Sequence, residues 1–391
     1  MNRIYLDANA TTPLHPQVFE AMRPFLLESF GNASSTHLAG QRARAAVEHA
    51  RDALSQLLHC RASELVFTSG GTESDNMALF GTVLPGQHLV TSTAEHHAVL
   101  HAAQALAKQG VDVTFLPCAA SGLIDPEALR TALRPNTRLV SLMMANNETG
   151  VIQPIAQLAR VARQHVGADG VPPLFHTDAV QAAGKLPVDL TDELREVDLL
   201  SISGHKMYAP QGTGVLFVRR KTALRPMFHG GPHERARRAG TENVAGIVAL
   251  GRAAELAADW MAATDGTTSG PAQVEALRDR LENGVLRRLP DVEVNGAGAP
   301  RTPNTCNLAF DKVDAEALLI ALDLRGVAVS AGSACQSGAT EPSHVLLAMG
   351  FAPVRARSSV RFSLSRFTTE AEIDRTIEGV SESVQRQRTM G

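Results

Sequence analysis

Lys206 lies in Ser203-Gly204-His205-Lys206, and Asp178 lies upstream in His176-Thr177-Asp178-Ala179-Val180-Gln181. Each segment begins at the end of an apolar run that reads as a buried strand. A lysine amine beside small, hydroxylated and glycine residues can form a Schiff base with an aldehyde cofactor. An aspartate on a neighbouring strand can keep a pyridine nitrogen protonated, so that the ring takes up electrons. Pyridoxal phosphate chemistry needs this pairing. The same residue types also serve as solvated charges and helix caps near strand ends, so these two segments by themselves leave both readings open.

Further segments narrow the choice. Thr68-Ser69-Gly70-Gly71-Thr72-Glu73-Ser74-Asp75-Asn76 follows a strand and opens a helix, where free main-chain N–H groups and the helix dipole suit a phosphate. It is neither a dinucleotide fingerprint nor a Walker sequence, so no nucleotide is implied. In Thr93 to His101, His97 and His101 share a helix face. No carboxylate or thiolate completes a tight local set, so they read as helix polar residues and no metal site is expected. His96, at a strand-to-helix turn, can lie flat against a pyridine ring. Asn146-Asn147-Glu148 reads either as a turn or as an amide placed to meet a phenolate oxygen or a substrate carboxylate.

Cys335 sits among glycine, alanine and serine in Ser330 to Ala339, the composition of an exposed, flexible loop. An accessible thiol can ionise and attack, whereas Cys118 and Cys306 read as small apolar packing residues. Arg361, in Ser359-Val360-Arg361-Phe362-Ser363-Leu364, alternates away from Val360 and Phe362. Its fork suits a carboxylate, with a surface ion pair as the alternative.

The elements that must position these residues follow from the pattern. Apolar runs beginning near residues 65, 88, 111, 139, 173, 199 and 214 alternate with helical stretches, which predicts an α/β fold with a largely parallel sheet covered on both faces. Ligands of such a sheet gather beyond the strand ends. After a long alanine-rich helix near 244–263, the polar run 264–271 marks a loop at or near a domain junction. The remaining helices and short strands suit a smaller α+β domain. At 391 residues, 44% hydrophobic and 20% charged, the chain suits two cores of ordinary globular composition.

The net charge of -3 gives no footprint for nucleic acid. Four scattered cysteines form no Cys-x-x-Cys pair, so neither a disulfide framework nor structural zinc is expected. The first residues hold no apolar signal region and no run is long enough to span a bilayer. A cytoplasmic protein without membrane attachment is the expectation.

The runs 5–12, 31–35, 68–76, 146–148, 178–181, 203–206, 238–243, 333–335 and 359–366, taken in order, resemble the cysteine desulfurases (NifS/IscS-like) of the class V pyridoxal phosphate-dependent aminotransferase group. The resemblance implies a fold-type I transferase: a large cofactor-binding domain at 14–258, and a small domain of 1–13 and 259–391 that carries the cysteine loop. It implies a homodimer that converts L-cysteine to L-alanine and leaves the sulfur as a persulfide on Cys335. An acceptor such as an iron–sulfur scaffold would then receive it.

By the same resemblance Lys206 holds the cofactor, Asp178 pairs with the pyridinium, Gln181 bonds the phenolate oxygen and His96 stacks on the ring. Gly71, Thr72, Ser203 and His205 would hold the phosphate, with Thr241 supplied by the partner subunit, while Asn147 and Arg361 would hold the substrate carboxylate. The competing readings are a selenocysteine lyase, another pyridoxal phosphate-dependent transferase, and a non-enzymatic sulfur carrier. An intact Lys206 and Asp178 speak against the carrier, and Cys335 speaks against a transaminase.

Overall fold

The computed structural model describes residues 3–263, 270–331 and 341–390. Strand β1 (Ile4–Tyr5) and helices α1 (Pro16–Leu27) and α2 (Leu38–Leu57) come first. Alternation then begins with β2 (Leu65–Thr68), α3 (Gly71–Thr82), β3 (His88–Ser92), α4 (His97–Lys108) and β4 (Asp112–Leu116). It continues through α5 (Pro126–Ala132), β5 (Thr137–Ser141), α6 (Ile155–Gln164), β6 (Leu174–Asp178), β7 (Leu199–Ser203) and β8 (Gly214–Val218). Helix α7 (Val244–Ala262) leads to α8 (Pro271–Arg288), β9 (Val292–Val294), β10 (Thr305–Phe310), α9 (Ala315–Leu324) and β11 (Val327–Ala328). Helices α10 (His344–Ala348) and α11 (Pro353–Arg357), strand β12 (Ser359–Ser363) and helix α12 (Glu370–Met390) complete the described chain. The expected junction loop falls largely at 264–269, outside the described residues.

Strands β2 to β8 form one seven-stranded sheet in the order β2-β8-β7-β6-β5-β3-β4. The pairs among β3 to β7 are parallel, and β8 runs antiparallel to both β7 and β2. Six strands therefore point one way, and their carboxyl ends, including Thr68, Ser92, Asp178 and Ser203, lie along one edge. Every residue of β2, β3, β7 and β8 is buried, as expected for strands covered on both faces. Among the described residues, no helix is long and apolar enough to cross a membrane.

A second core joins Ile4 and Leu6 to residues from Val274 to Val384. It packs around the antiparallel sheet β12-β10-β9 and the parallel pair β1-β11. The segment after β1 leaves this core and reaches the large sheet: Asn9 N–H donates to Ser363 Oγ (3.0 Å), and Thr12 N–H donates to the His205 carbonyl (2.9 Å). It thus ties β12 to the turn after β7.

Helices α2 and α7 approach closely where Gly251 meets Ala50, both small and buried. A Cβ on Gly251 would meet the Ala50 Cα and Cβ at 2.5 Å. Gly251→Val is expected to cost about 1–3 kcal/mol through overpacking, outweighing its small gain in helix propensity. A urea titration reads this as a lower midpoint; an unchanged or raised midpoint would show that the helices can separate freely.

Candidate active site

A pocket of about 390 Å³ opens at the carboxyl edge of the large sheet and is closed on its far side by residues that include Asn9 and Arg361. Lys206 enters it from the single turn Gly204–Lys206 that follows β7. Its Nζ donates to the main-chain carbonyls of Asn9 and Ala10, both at 2.6 Å. Asp178 is the last residue of β6, the strand beside β7, and is buried in the same pocket. The Val180 N–H donates to its Oδ1 (2.8 Å), while burial raises its pKa to about 6. A cation at the pocket end of this carboxylate would draw it back to the ionised form.

The turn between β2 and α3 forms the next wall. Gly70 has φ 154°, a backbone conformation that L side chains rarely adopt, and a Cβ on Gly71 would lie 2.7 Å from Val180 Cγ2. Glycine therefore lets the first turn of α3 sit against the β6 exit, and the N–H groups of that turn have no partner inside the helix. Gly71, Thr72, Ser203 and His205 converge there. His205 Nδ1 meets Thr11 Oγ1 at 3.1 Å, and burial followed by the Lys206 charge pushes its pKa down to about 4.

His96 caps α4 by accepting from the Ala98 N–H at Nδ1 (3.1 Å), which places the hydrogen of the neutral ring on Nε2. Burial, then Lys206 and the neighbouring histidines, lower its pKa to about 4, so the ring is neutral at physiological pH. His97 and His101 stack with ring centroids 4.8 Å apart, and His344 lies 4.5 Å from His97. His97 is half-buried and His101 exposed, in keeping with their reading as polar residues of the helix.

The two asparagines separate in role. Asn146 Oδ1 accepts from the main-chain N–H groups of Glu148 (2.9 Å) and Thr149 (3.0 Å), which is the turn reading. Asn147 instead lines the pocket, and its buried Oδ1 has no hydrogen-bond partner among the described residues. Arg361 is no surface ion pair. It is 2% exposed, with Nη2 donating to Asp7 Oδ1 (2.7 Å), Nη1 donating to the Asn147 carbonyl (3.0 Å) and a buried Nε that has no hydrogen-bond partner among the described residues. Gln181 Nε2 donates to the Asn9 carbonyl at 3.0 Å.

Two of the expected site residues are not in this group. Thr241 is exposed and lies outside the pocket of its own chain. Cys335 lies outside the described residues. Both flanks of its segment nevertheless meet the pocket: Ser330 exchanges main-chain hydrogen bonds with Arg361, and Ser343 Oγ donates to Glu148 Oε2.

Sequence reasoning passed over Asn9, Asp75, Glu148 and His344, all of which line the pocket. Asp75 is 1% exposed, and burial and then the Asp178 charge hold its carboxyl well above the usual range. Asn9 and Glu148 stood inside runs that carry the family resemblance, which was the signal available for them. Asp75 also stood inside such a run, 68–76, but one acid in a helical stretch looks like any solvated residue.

A model of the aminotransferase class-V family matches residues 4–376. The chain belongs to the aminotransferase class-V family. Its class-V relatives include the cysteine desulfurase IscS of Dictyoglomus turgidum, 44% identical, with 99% of this chain and 96% of that protein covered. IscS of Anaeromyxobacter sp. strain Fw109-5 is 49% identical over 99% of this chain and 94% of its own length. Among solved class-V structures, a NifS-like protein superposes with a TM-score of 0.88 at 33% identity, covering 98% of this chain and 100% of the other. SspA, solved in complex with cysteine, gives 0.78 at 34% identity and covers 94% and 100%.

Class-V enzymes of this kind depend on pyridoxal phosphate, and the pocket fits that group. A lysine amine, a buried carboxylate and an anion-binding helix start face one cavity, and the orphaned polar atoms Asp75 Oδ1, Asn147 Oδ1 and Arg361 Nε mark walls that lack a polar ligand's hydrogen bonds.

Proposed function

We propose that this chain is a pyridoxal phosphate-dependent cysteine desulfurase, converting L-cysteine to L-alanine and holding the removed sulfur as a persulfide on Cys335. The observation that carries the reading is the convergence of Lys206, Asp178 and Arg361 on one pocket. They supply the amine, the counter-ion and the carboxylate fork of an amino-acid enzyme of this class.

Bound pyridoxal phosphate supplies an electron sink for the bonds at the substrate α-carbon. Lys206 Nζ would hold it covalently and would serve as the base that moves the substrate α-proton. Asp178 keeps the ring nitrogen protonated, and the Gln181 amide meets the phenolate oxygen. Gly71, Thr72, Ser203 and His205 hold the phosphate, with Thr241 of a second copy completing that cup in a homodimer. His96 would stack on the ring, and its neutral imidazole would offer the Nε2–H as a hydrogen-bond donor. Arg361 and Asn147 hold the substrate carboxylate.

The Cys335 thiolate attacks the substrate sulfur. A new S–S bond forms as the Cβ–S bond breaks, and the electron pair left on Cβ takes up a proton to give alanine. Relatives named IscS support iron–sulfur assembly as the destination of the sulfur. The division into 14–258 and 1–13 with 259–391 is supported by two cores, one drawing on Val18 to Ala257 and the other on Ile4, Leu6 and Val274 to Val384.

Incubation with L-cysteine tests the reading. Alanine should appear in step with one sulfur atom added to the Cys335 peptide, as read by mass spectrometry. A keto acid in place of alanine, or sulfide released with no sulfur on the protein, would contradict it.

A further inference from the structure

Behind the pocket wall lies a buried lysine amine that none of these steps uses. Lys185 stands four residues after Gln181, and its Nζ donates to Gln181 Oε1 (2.7 Å) and to Asn9 Oδ1 (3.3 Å). Both of these partners are neutral. Burial, then the charges of Lys206 and Arg361, lower its pKa to about 7. Arg361 is itself held by Asp7. A cavity of about 20 Å³, lined by Lys185, Thr12, Asn304 and Arg366 among others, has room for one water beside the amine.

Keeping a lysine amine in such a place is costly unless its hydrogen bonds accomplish something. What they accomplish is visible in the Gln181 amide. Gln181 Oε1 accepts from the Lys185 amine (2.7 Å), and Nε2 donates to the Asn9 carbonyl (3.0 Å), which only accepts. Rotating the amide by half a turn would break the bond from Lys185 and set C=O against a carbonyl. The orientation is therefore fixed at both ends, and the second N–H of Gln181 remains available to the pocket that Gln181 lines. Asn9 belongs to the same arrangement: Asn304 Nδ2 donates to its Oδ1 (3.0 Å), and its main-chain carbonyl also accepts from Lys206.

We propose that Lys185 is a positioning residue for the cofactor, holding the Gln181 amide with its N–H₂ toward the pocket, where it meets the phenolate oxygen. The inference rests on the assignment of Gln181 to that oxygen. A donor there draws charge from the oxygen. Without it, the oxygen holds more firmly the proton it shares with Lys206 Nζ, and the visible absorbance of the loaded protein changes at higher pH.

The experiment measures the pH midpoint of that band in four cofactor-loaded proteins: the parent, Gln181→Leu, Lys185→Met and the double variant. Gln181→Leu should raise the midpoint by about one pH unit, a tenfold change in proton affinity. Lys185→Met should give at least half of that shift, and the double variant no more than Gln181→Leu alone, because coupled residues are not additive. A Lys185→Met midpoint equal to the parent, or shifts that add in full as for an independent charge, would overturn the proposal. A Gln181→Leu midpoint equal to the parent would instead remove the Gln181 assignment, and the inference with it. Should Lys185→Met not fold, Asn9→Ser carries the test. It removes the Oδ1 that anchors the amine but keeps the carbonyl that Gln181 uses, so the midpoint should rise by a fraction of the Gln181→Leu shift. No rise would overturn the proposal.

Discussion

Lys206→Ala is expected to remove the visible absorbance of the lysine-held cofactor and to lower the turnover of L-cysteine by roughly a thousandfold or more. Both losses follow from one amine. Lys206 is the lysine that the turn after β7 delivers into the pocket that also holds Asp178, and its Nζ reaches Asn9 and Ala10 from there. The other lysine near the site, Lys185, is directed away by Gln181 and Asn9. Alanine at 206 leaves the phosphate cup and Asp178 in place, so cofactor can still bind, but without a covalent hold and without a base at the α-carbon. Retained absorbance together with retained activity would mean that another lysine does this work.

Cys335→Ala should separate the two halves of the reaction. Cofactor absorbance is expected to stay at the level of the parent protein, because the pocket is built from other residues, while persulfide formation stops and alanine release falls by at least about a hundredfold. The remaining thiols are poor substitutes. Burial pushes Cys60 up to about 12 and raises Cys118, and it holds Cys306 well above the ordinary range, so none of them supplies thiolate near neutral pH. Sulfide release undiminished in Cys335→Ala would show that sulfur leaves without a protein nucleophile.

The large sheet was legible because its strands are short apolar runs separated by helical stretches, and β2, β3 and β8 begin within a residue of where the pattern places them. Strands β1, β9 and β11 were not. They are two or three residues long, too short for a period to register, and β1 is held by the distant β11 rather than by its own composition. Gly71, His96, Asp178, Gln181, Ser203, His205 and Lys206 came together in one pocket because each sits at or shortly after a strand end, which the sequence marks, while Asn147 joins them from the loop after β5 and Arg361 from the middle of β12. Asp75 lines the same pocket, and Lys185 acts from behind its wall. Their partners are brought in by the N-terminal segment and by neighbouring strands, and contacts over such separations leave no local spacing to read. Thr241 shows the same limit in another form, since one chain by itself does not bring it to the pocket.

The most direct test of the central claim is borohydride reduction of the cofactor-loaded protein, followed by proteolysis and peptide mass mapping. The reduced cofactor is expected on the peptide that contains Lys206 and on no other lysine. Its recovery on Lys185 or any other lysine, or a loaded protein that yields no modified peptide, would contradict the assignment of this pocket as the catalytic centre.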